Sequence, residues 1–349
     1  MIDDVLIRQN GKAGRITLNR PTALNSLTHR MVQDISAALD KWEAEPRVEL
    51  VLIEASGDRA FCAGGDLRAL HTASLCDQQS CKAFWRDEYR LNARLASYRK
   101  PIVVLMQGLV IGGGVGLGCH AAYRVVCETT QISMPECSIG LVPDVGSTLL
   151  LGAAPGRLGE YLGLTGAGMT GPDAIMAGFA DQMIARQHWG DLVSDLARTG
   201  SLDSLATAAA SSGESTMAAD LQRIDHVFSC ATLTEILDRA SDHPDFFGAM
   251  ASAAPLSLAA TLHMVRQARR FDHIEEALEM EFRFVSRAMA LGDFQEGIRA
   301  KLIDKGSTPQ WRHADARMVD PAEVDAMLAP VRPSASVFCR EYVTKGPIR

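Results

Sequence analysis

Short apolar runs alternate with stretches of helical periodicity through the first half of the chain, and this limits the fold more than any single motif does. Residues 5–8 and 15–18 flank Gln9-Asn10-Gly11-Lys12. An Asn-Gly pair between apolar runs favours a tight hairpin, so the chain opens on two antiparallel strands. After Pro21, Thr28 can cap a helix in which Met31, Ile35, Leu39 and Trp42 recur at helical spacing until Pro46. Residues 48–54, rich in Val, Leu and Ile, read as a buried strand. Residues 81–98 then read as helix, 102–106 as strand, 114–123 as helix and 124–127 as strand. This is an α/β pattern. Beyond about Gly156 no strand pattern returns, so residues 1–185 are expected to form the α/β core and residues 186–349 a mainly helical region packed on it. An Ala/Ser-rich run over residues 202–217 reads as a surface helix or a connection.

With 349 residues, 47% of them hydrophobic, the chain can bury enough surface to enclose a sizeable pocket. A net charge of −7 without clustered Lys and Arg gives no footprint for nucleic acid. No run reaches the roughly 18 uninterrupted apolar residues of a membrane span, and the apolar stretch 101–117 is full of glycine. Residues 1–12 include Asp3 and Asp4 and show neither a secretory leader nor an Arg-rich presequence, so a cytoplasmic address is expected. The eight cysteines are scattered and are expected to be reduced, mostly buried apolar residues. Only Cys76 and Cys81 lie close together, and His71 makes a poor partner for them, so no metal site is expected.

Three segments place glycine or carboxylate where a core wants neither. The first is Ala60-Phe61-Cys62-Ala63-Gly64-Gly65-Asp66-Leu67, where paired glycines after a strand bring backbone close to a ligand and leave amides unshielded. In the second, Gln107 to Gly118, glycines at 112, 113, 114, 116 and 118 lead into a helix. Amides at a helix start lack partners and suit a developing oxyanion. Neither a dinucleotide fingerprint nor a phosphate loop is spelled there. The third segment, Ser133 to Gly146, sets Glu136 and Asp144 among apolar residues with no basic neighbour. Burying such carboxylates shifts their pKa, which enzymes exploit. Glu88 joins them from the helix over 81–98: it lies four residues after Phe84 and three before Leu91, on the apolar stripe. No serine is flanked as G-x-S-x-G, and no H-E-x-x-H occurs. The nine histidines are dispersed, and His120, just after the glycine run, reads as structural.

At these residues the sequence resembles the crotonase (enoyl-CoA hydratase/isomerase) superfamily. Leu18-Asn19-Arg20-Pro21 with Ala23-Leu24-Asn25, the 60–67 and 112–116 segments, and Met134-Pro135-Glu136 occur in that family's order. Within it the chain is most similar to the 3-hydroxyisobutyryl-CoA hydrolases. Arg86-Asp87-Glu88-Tyr89 before Leu91-Asn92 carries this likeness, as do Pro143-Asp144-Val145-Gly146 and Asp293-Phe294-Gln295-Glu296-Gly297-Ile298-Arg299-Ala300 with Pro309-Gln310-Trp311.

The resemblance implies a crotonase-like ββα spiral with C-terminal helices closing the pocket. It also implies assembly often as trimers or their multiples, so the oligomer stays open. The amides of Gly65 and Gly113 would form an oxyanion hole for a thioester carbonyl, and Glu136 would attack that carbonyl or act as base. Asp144 would position or deprotonate water, and Glu88 would accept from a substrate hydroxyl. Amides near Asp66 and Leu67, beside Gly64, would meet the adenine of CoA. The substrate class implied is a short 3-hydroxyacyl-CoA, such as the 3-hydroxyisobutyryl-CoA of valine catabolism, with no cofactor beyond the CoA of the substrate. The alternative is an enoyl-CoA hydratase or isomerase. Hydratases of this fold pair the Glu136-like acid with a second one on the glycine-run helix, where this chain has Gly116.

Overall fold

The computed structural model describes residues 3–76, 78–209 and 213–338. Strands β1 (Val5–Asn10) and β2 (Ala13–Leu18) pair antiparallel from Val5↔Leu18 to Asn10↔Ala13. The hairpin turn is therefore Gly11-Lys12, and the strands run two residues further than expected, with Gly11 at φ +56°. Helix α1 (His29–Glu43) starts at Thr28, whose hydroxyl accepts from the Met31 N–H, and it buries Met31, Ile35, Leu39 and Trp42 as the periodicity predicts.

From here the chain deals its strands alternately to two sheets. Strands β3 (Leu50–Ala55), β5 (Ile102–Met106) and β7 (Tyr123–Val126) extend the first sheet. Strands β4 (Ala60–Cys62), β6 (Leu109–Ile111) and β8 (Gln131–Ser133) build a second. Each strand lies parallel to the previous strand of its own sheet. Every turn of the chain thus adds one strand to each sheet, which is a ββα spiral. Helices α2 (Leu67–Cys76), α3 (Gln78–Ser97) and α4 (Gly113–Gly118) fill the crossovers that parallel pairing requires.

Two expectations need correction. Strands do return beyond Gly156: β9 (Met169–Thr170) closes the small sheet and β10 (Gln182–Met183) the large one, each too short to leave a hydropathy period. The helix expected over 114–123 is only α4, since a glycine-rich segment has weak helix propensity and Tyr123 already pairs with Val103. The Ala/Ser-rich run contains a short helix, Asp203–Ala208, with Leu205 buried, while residues 210–212 lie outside the described residues.

All five residues of β5 are buried, because both faces of the large sheet are covered. On one face Leu50, Leu52, Val103 and Val125 pack under Trp189, Leu192 and Leu196 of helix Trp189–Thr199. On the other, one cluster runs from Val5 to Val337, so residues on both sides of position 185 share a core. Helix Pro255–Ala268 is buried almost all round. Among the described residues no single helix is long and apolar enough to cross a membrane.

The C-terminal part reaches the site through two close backbone approaches. A Cβ on Gly297 would fall 2.1 Å from Ile139 O, and one on Gly140 would fall 2.5 Å from the Asp293 carbonyl carbon. Helix Phe294–Ile298 therefore sits directly on the Glu136–Ile139 turn. Glu296 fixes it by accepting from Arg299 at 2.7 and 2.6 Å and from the Gln310 N–H at 2.6 Å. Gly297→Ala should push the two segments apart at a cost of about 2–3 kcal/mol. A clearly lower urea midpoint with unchanged m-value is expected, and an unshifted midpoint would show that the contact adapts.

Candidate active site

The segment bearing Gly65 is positioned from the N-terminal side. Asn25 is fully buried at φ 54°; its amide donates to Ser56 O and Ala60 O at 3.0 and 2.9 Å and accepts from the Arg20 N–H at 2.8 Å. The chain that follows can then pair with the glycine segment: Leu27 N–H donates to Gly64 O, and Asp66 N–H to Leu27 O, both at 2.8 Å. This register skips Gly65, whose N–H donates to no backbone acceptor among the described residues. Gly113, the first residue of α4, likewise has no intrahelical acceptor for its N–H. A Cβ on Gly113 would lie 3.5 Å from Gly65 N, and one on Gly64 would lie 3.7 Å from Gly113 N. The two predicted oxyanion donors therefore stand side by side.

The glycine run has a second reason to lack side chains. A Cβ on Gly112 would lie 2.8 Å from Glu136 Oε1, and one on Gly113 would lie 2.6 Å from Glu88 Oε1. Carboxylates occupy the space that side chains would take. Glu88, Glu136 and Asp144 all line one cavity of about 150 Å³ with Gly64, Gly65, Leu67 and Gly113, walled by Phe84, Trp85, Leu141 and Phe294. The predicted site residues other than Asp66 converge there, and no Lys or Arg is among the lining residues.

With no cation to favour their charged forms, burial dominates the three acids. It pushes Asp144 up to about 7, against the lowering effect of the Tyr89 hydroxyl, which donates to Asp144 Oδ2 at 2.7 Å. Burial, followed by the charge of Asp144, drives both Glu88 and Glu136 well above the usual carboxylate range. Glu88 Oε1 and Glu136 Oε2 are buried without a hydrogen-bond partner among the described residues. The three acids share one buried environment, so their titrations are coupled.

Asp66 departs from its expected role. Its N–H is engaged by Leu27 O, its carboxylate pairs with Arg20 at 3.0 Å, and its Oδ1 accepts from the Ala69 N–H at the start of α2. Asp66 is thus a brace for the glycine segment, and Leu67 is left as the amide there that could meet an adenine.

Three residues that hold the Asp144 turn were not singled out as site residues from sequence. Tyr89 is completely buried and packs edge-to-face on Phe282. Val145 stands at φ +55°, a strained setting for a β-branched residue, and its carbonyl accepts from His120 Nε2 at 2.8 Å. Burial lowers His120 to about 4, so the ring is neutral and its Nε2–H is the donor. Glu281, on helix Ile274–Leu291, accepts from the N–H groups of Gly146 and Thr148 at 2.7 and 3.0 Å and from the Thr148 hydroxyl at 2.6 Å. Glu281 is remote in sequence, but it falls on the same helix face as Leu278 and Val285, a signal like the one that exposed Glu88.

Position 116 is closed. A Cβ there would lie 2.7 Å from Asn92 Nδ2 and 2.8 Å from Val145 Cβ. Both neighbours are buried, so a second acid at 116 could not be housed without rebuilding the Asp144 turn. The cysteines are as expected where described: Cys62, Cys119 and Cys137 are buried, free and pushed up to about 12 by burial, whereas Cys339 lies outside the described residues. No group of three metal-ligating side chains occurs among the described residues.

Two sheets wound by a repeated strand pair, with paired glycine amides facing buried acids, are the features of the enoyl-CoA hydratase/isomerase family, to which this chain belongs; the family's model matches residues 13–328. Its relatives narrow the comparison. The chain is 36% identical to the mitochondrial 3-hydroxyisobutyryl-CoA hydrolase of Homo sapiens over 91% of this chain and 86% of that protein. The Gallus gallus protein of the same name is 35% identical over 94% and 89%. Among solved structures, an enoyl-CoA hydratase from Rhodobacter sphaeroides superposes with a TM-score of 0.92 at 49% identity, covering 96% of this chain and all of that one. A carnitinyl-CoA dehydratase from Mycobacterium thermoresistibile gives 0.91 at 39%, covering 95% and 98%.

Tyr89→Phe should raise the Asp144 titration midpoint above its value near 7, because the one side-chain donor among the described residues that favours its charged form is removed. Infrared difference spectra of 13C-aspartate-labelled protein, with Asp144→Asn assigning the band, would follow it. An unmoved midpoint would mean that burial alone sets the value.

Proposed function

We propose that this enzyme hydrolyses a short 3-hydroxyacyl-CoA thioester, with 3-hydroxyisobutyryl-CoA the favoured substrate. The observation that carries the reading is the placement of the second acid: Asp144 enters the pocket from the 144–146 turn, while position 116 has no room for the acid that syn hydration would use. The names of the Homo sapiens and Gallus gallus relatives support the same substrate.

The roles follow from the geometry. The Gly65 and Gly113 N–H groups receive the thioester oxygen as it becomes an oxyanion, an effect commonly worth about 3–4 kcal/mol per donor. Buried together, Glu136 and Asp144 titrate as a coupled pair whose ionised form is the working base. Glu136 attacks the carbonyl carbon to give a mixed anhydride that water then cleaves, or takes the proton of the attacking water, and Asp144 positions or deprotonates that water. In either route a C–O bond replaces the C–S bond, and the thiolate of CoA leaves and takes a proton. Glu88, unpartnered at Oε1 and adjacent to Gly113, faces the place where a 3-hydroxyl would lie. A pocket closed by Phe84, Trp85 and Phe294 accepts a short branched acyl group rather than a long chain. The names of the Rhodobacter and Mycobacterium structures favour a second reading, addition or removal of water at a carbon–carbon double bond.

Thiol release from 3-hydroxyisobutyryl-CoA, measured beside loss of the enoyl absorbance of crotonyl-CoA, separates the two. Hydrolysis predicts rapid thiol release that falls at least about a thousandfold in Glu136→Gln while CoA still binds. Enoyl loss without thiol release would establish hydration instead. Since deprotonation of the acid pair creates the working anion, the rate should rise with pH through a midpoint near 7, and a flat profile between pH 5.5 and 8.5 would remove Asp144 from the chemistry. Glu88→Ala should cost about tenfold or more on 3-hydroxyacyl-CoA relative to the unsubstituted acyl-CoA. An equal loss on both would leave Glu88 a structural residue.

A further inference from the structure

On the opposite side of α3 from the acyl pocket lies a second cavity of about 400 Å³ with the reverse electrostatics. It is lined by Lys82, Arg86, Arg287 and Arg332, together with Gln79 and Ser286, and no carboxylate among the described residues contributes to its wall. At 100° per residue, Gln79, Lys82 and Arg86 share one face of α3, while Glu88 points the other way. The two cavities have no lining residue in common.

None of the four cations forms an ion pair among the described residues. That is unusual in a chain with net charge −7, whose other arginines are widely paired, as Arg15, Arg124, Arg269 and Arg299 show. Two of the four are held in place by neutral groups. Arg86 donates to Ala335 O at 3.2 Å and lies over the Phe282 ring at 5.5 Å. Arg287 donates to the carbonyls of Arg283, Met327 and Pro330 at 2.8, 3.1 and 3.3 Å. Burial, and then the charge of Arg283, lowers the pKa of Arg287, as expected where no anion compensates it. Backbone carbonyls fix these guanidinium groups without neutralising them, and each keeps N–H donors to offer. Lys82 and Arg332 add two more cations whose side chains donate to no protein group among the described residues.

We infer that this cavity is a binding site for a phosphate-bearing anion of two or more negative charges, separate from the acyl pocket. Forked guanidinium donors match phosphate oxygens, and four cationic residues lining one concave wall focus the field on such a ligand. A single carboxylate would leave most of that charge uncompensated. The anion has two sources, a free phosphate compound or the phosphate groups of CoA itself. The site does not depend on which reaction the acyl pocket performs, because its occupancy can be read without turnover.

The test is calorimetric titration of the intact protein with inorganic pyrophosphate at low ionic strength. The comparison is the Lys82→Gln/Arg332→Gln double variant, which leaves the backbone-anchored arginines in place and whose folding is checked by its thermal midpoint. One-site saturable binding is expected, weakened at least tenfold in the variant and weakening further as NaCl is added. No saturable binding to the wild type, or undiminished binding in the folded variant, would overturn the proposal. Competition then identifies the source. Displacement of pyrophosphate by CoA but not by pantetheine assigns the site to the phosphates of CoA, and retention of pyrophosphate in the presence of CoA assigns it to a free anion.

Discussion

Everything in the candidate site depends on burying three carboxyl groups together with no cation among them. Glu88, Glu136 and Asp144 enter from a helix, a tight turn and a loop. Each is nearly inaccessible to water. Desolvation of this kind makes a carboxyl a weak acid and, once ionised, a strong base. It is sustainable only because the groups keep protons rather than charge. One lysine or arginine in the wall would hold the acids ionised and lower their basicity, and the described lining residues include neither.

Close packing of backbone against acid makes that burial possible. The Gly112-Gly113 peptide lies where side chains would collide with Glu136 and Glu88, so the segment that supplies the Gly113 donor also makes room for the carboxyls. Opposite it, the Asp144 turn bends through a left-handed Val145, a conformation that persists only when its surroundings over-determine it. Tyr89 holds the Asp144 carboxyl, His120 the Val145 carbonyl and Glu281 the amides that follow. Helix α3, the segment after α4 and the C-terminal helix Ile274–Leu291 thereby set the geometry of the Asp144 turn together.

Much of this was legible in the sequence, for identifiable reasons. Glycine pairs after strands and acids among apolar residues are local signals, and they marked the segments bearing Gly65, Gly113, Glu136 and Asp144; the resemblance to the crotonase superfamily is what joined them in one site. Glu88 was found because a charge on an apolar helical stripe has few innocent explanations. What escaped depends on distance or on bonding state. Strands β9 and β10 are two residues each and exist through their neighbours, not through a period of their own. Glu281 meets the 146–148 amides across more than 130 positions of chain. Asp66 looked like part of a ligand-facing loop, and only the register of Leu27 against the glycine segment shows that its amide is already engaged.

The electrostatic division across α3 follows from the same constraint. A substrate that carries phosphates needs cations somewhere along its path, yet cations near Glu136 and Asp144 would defeat the burial that tunes them. Coulomb attraction at close range in a low-dielectric pocket is large, and it weakens steeply once distance and solvent intervene. Lys82 and Arg86 on one face of α3, with Glu88 on the other, put the helix itself between the two kinds of charge. The fold can thus present a basic recess to an anion while the acyl pocket keeps its protons, and one amphipathic helix serves as the partition.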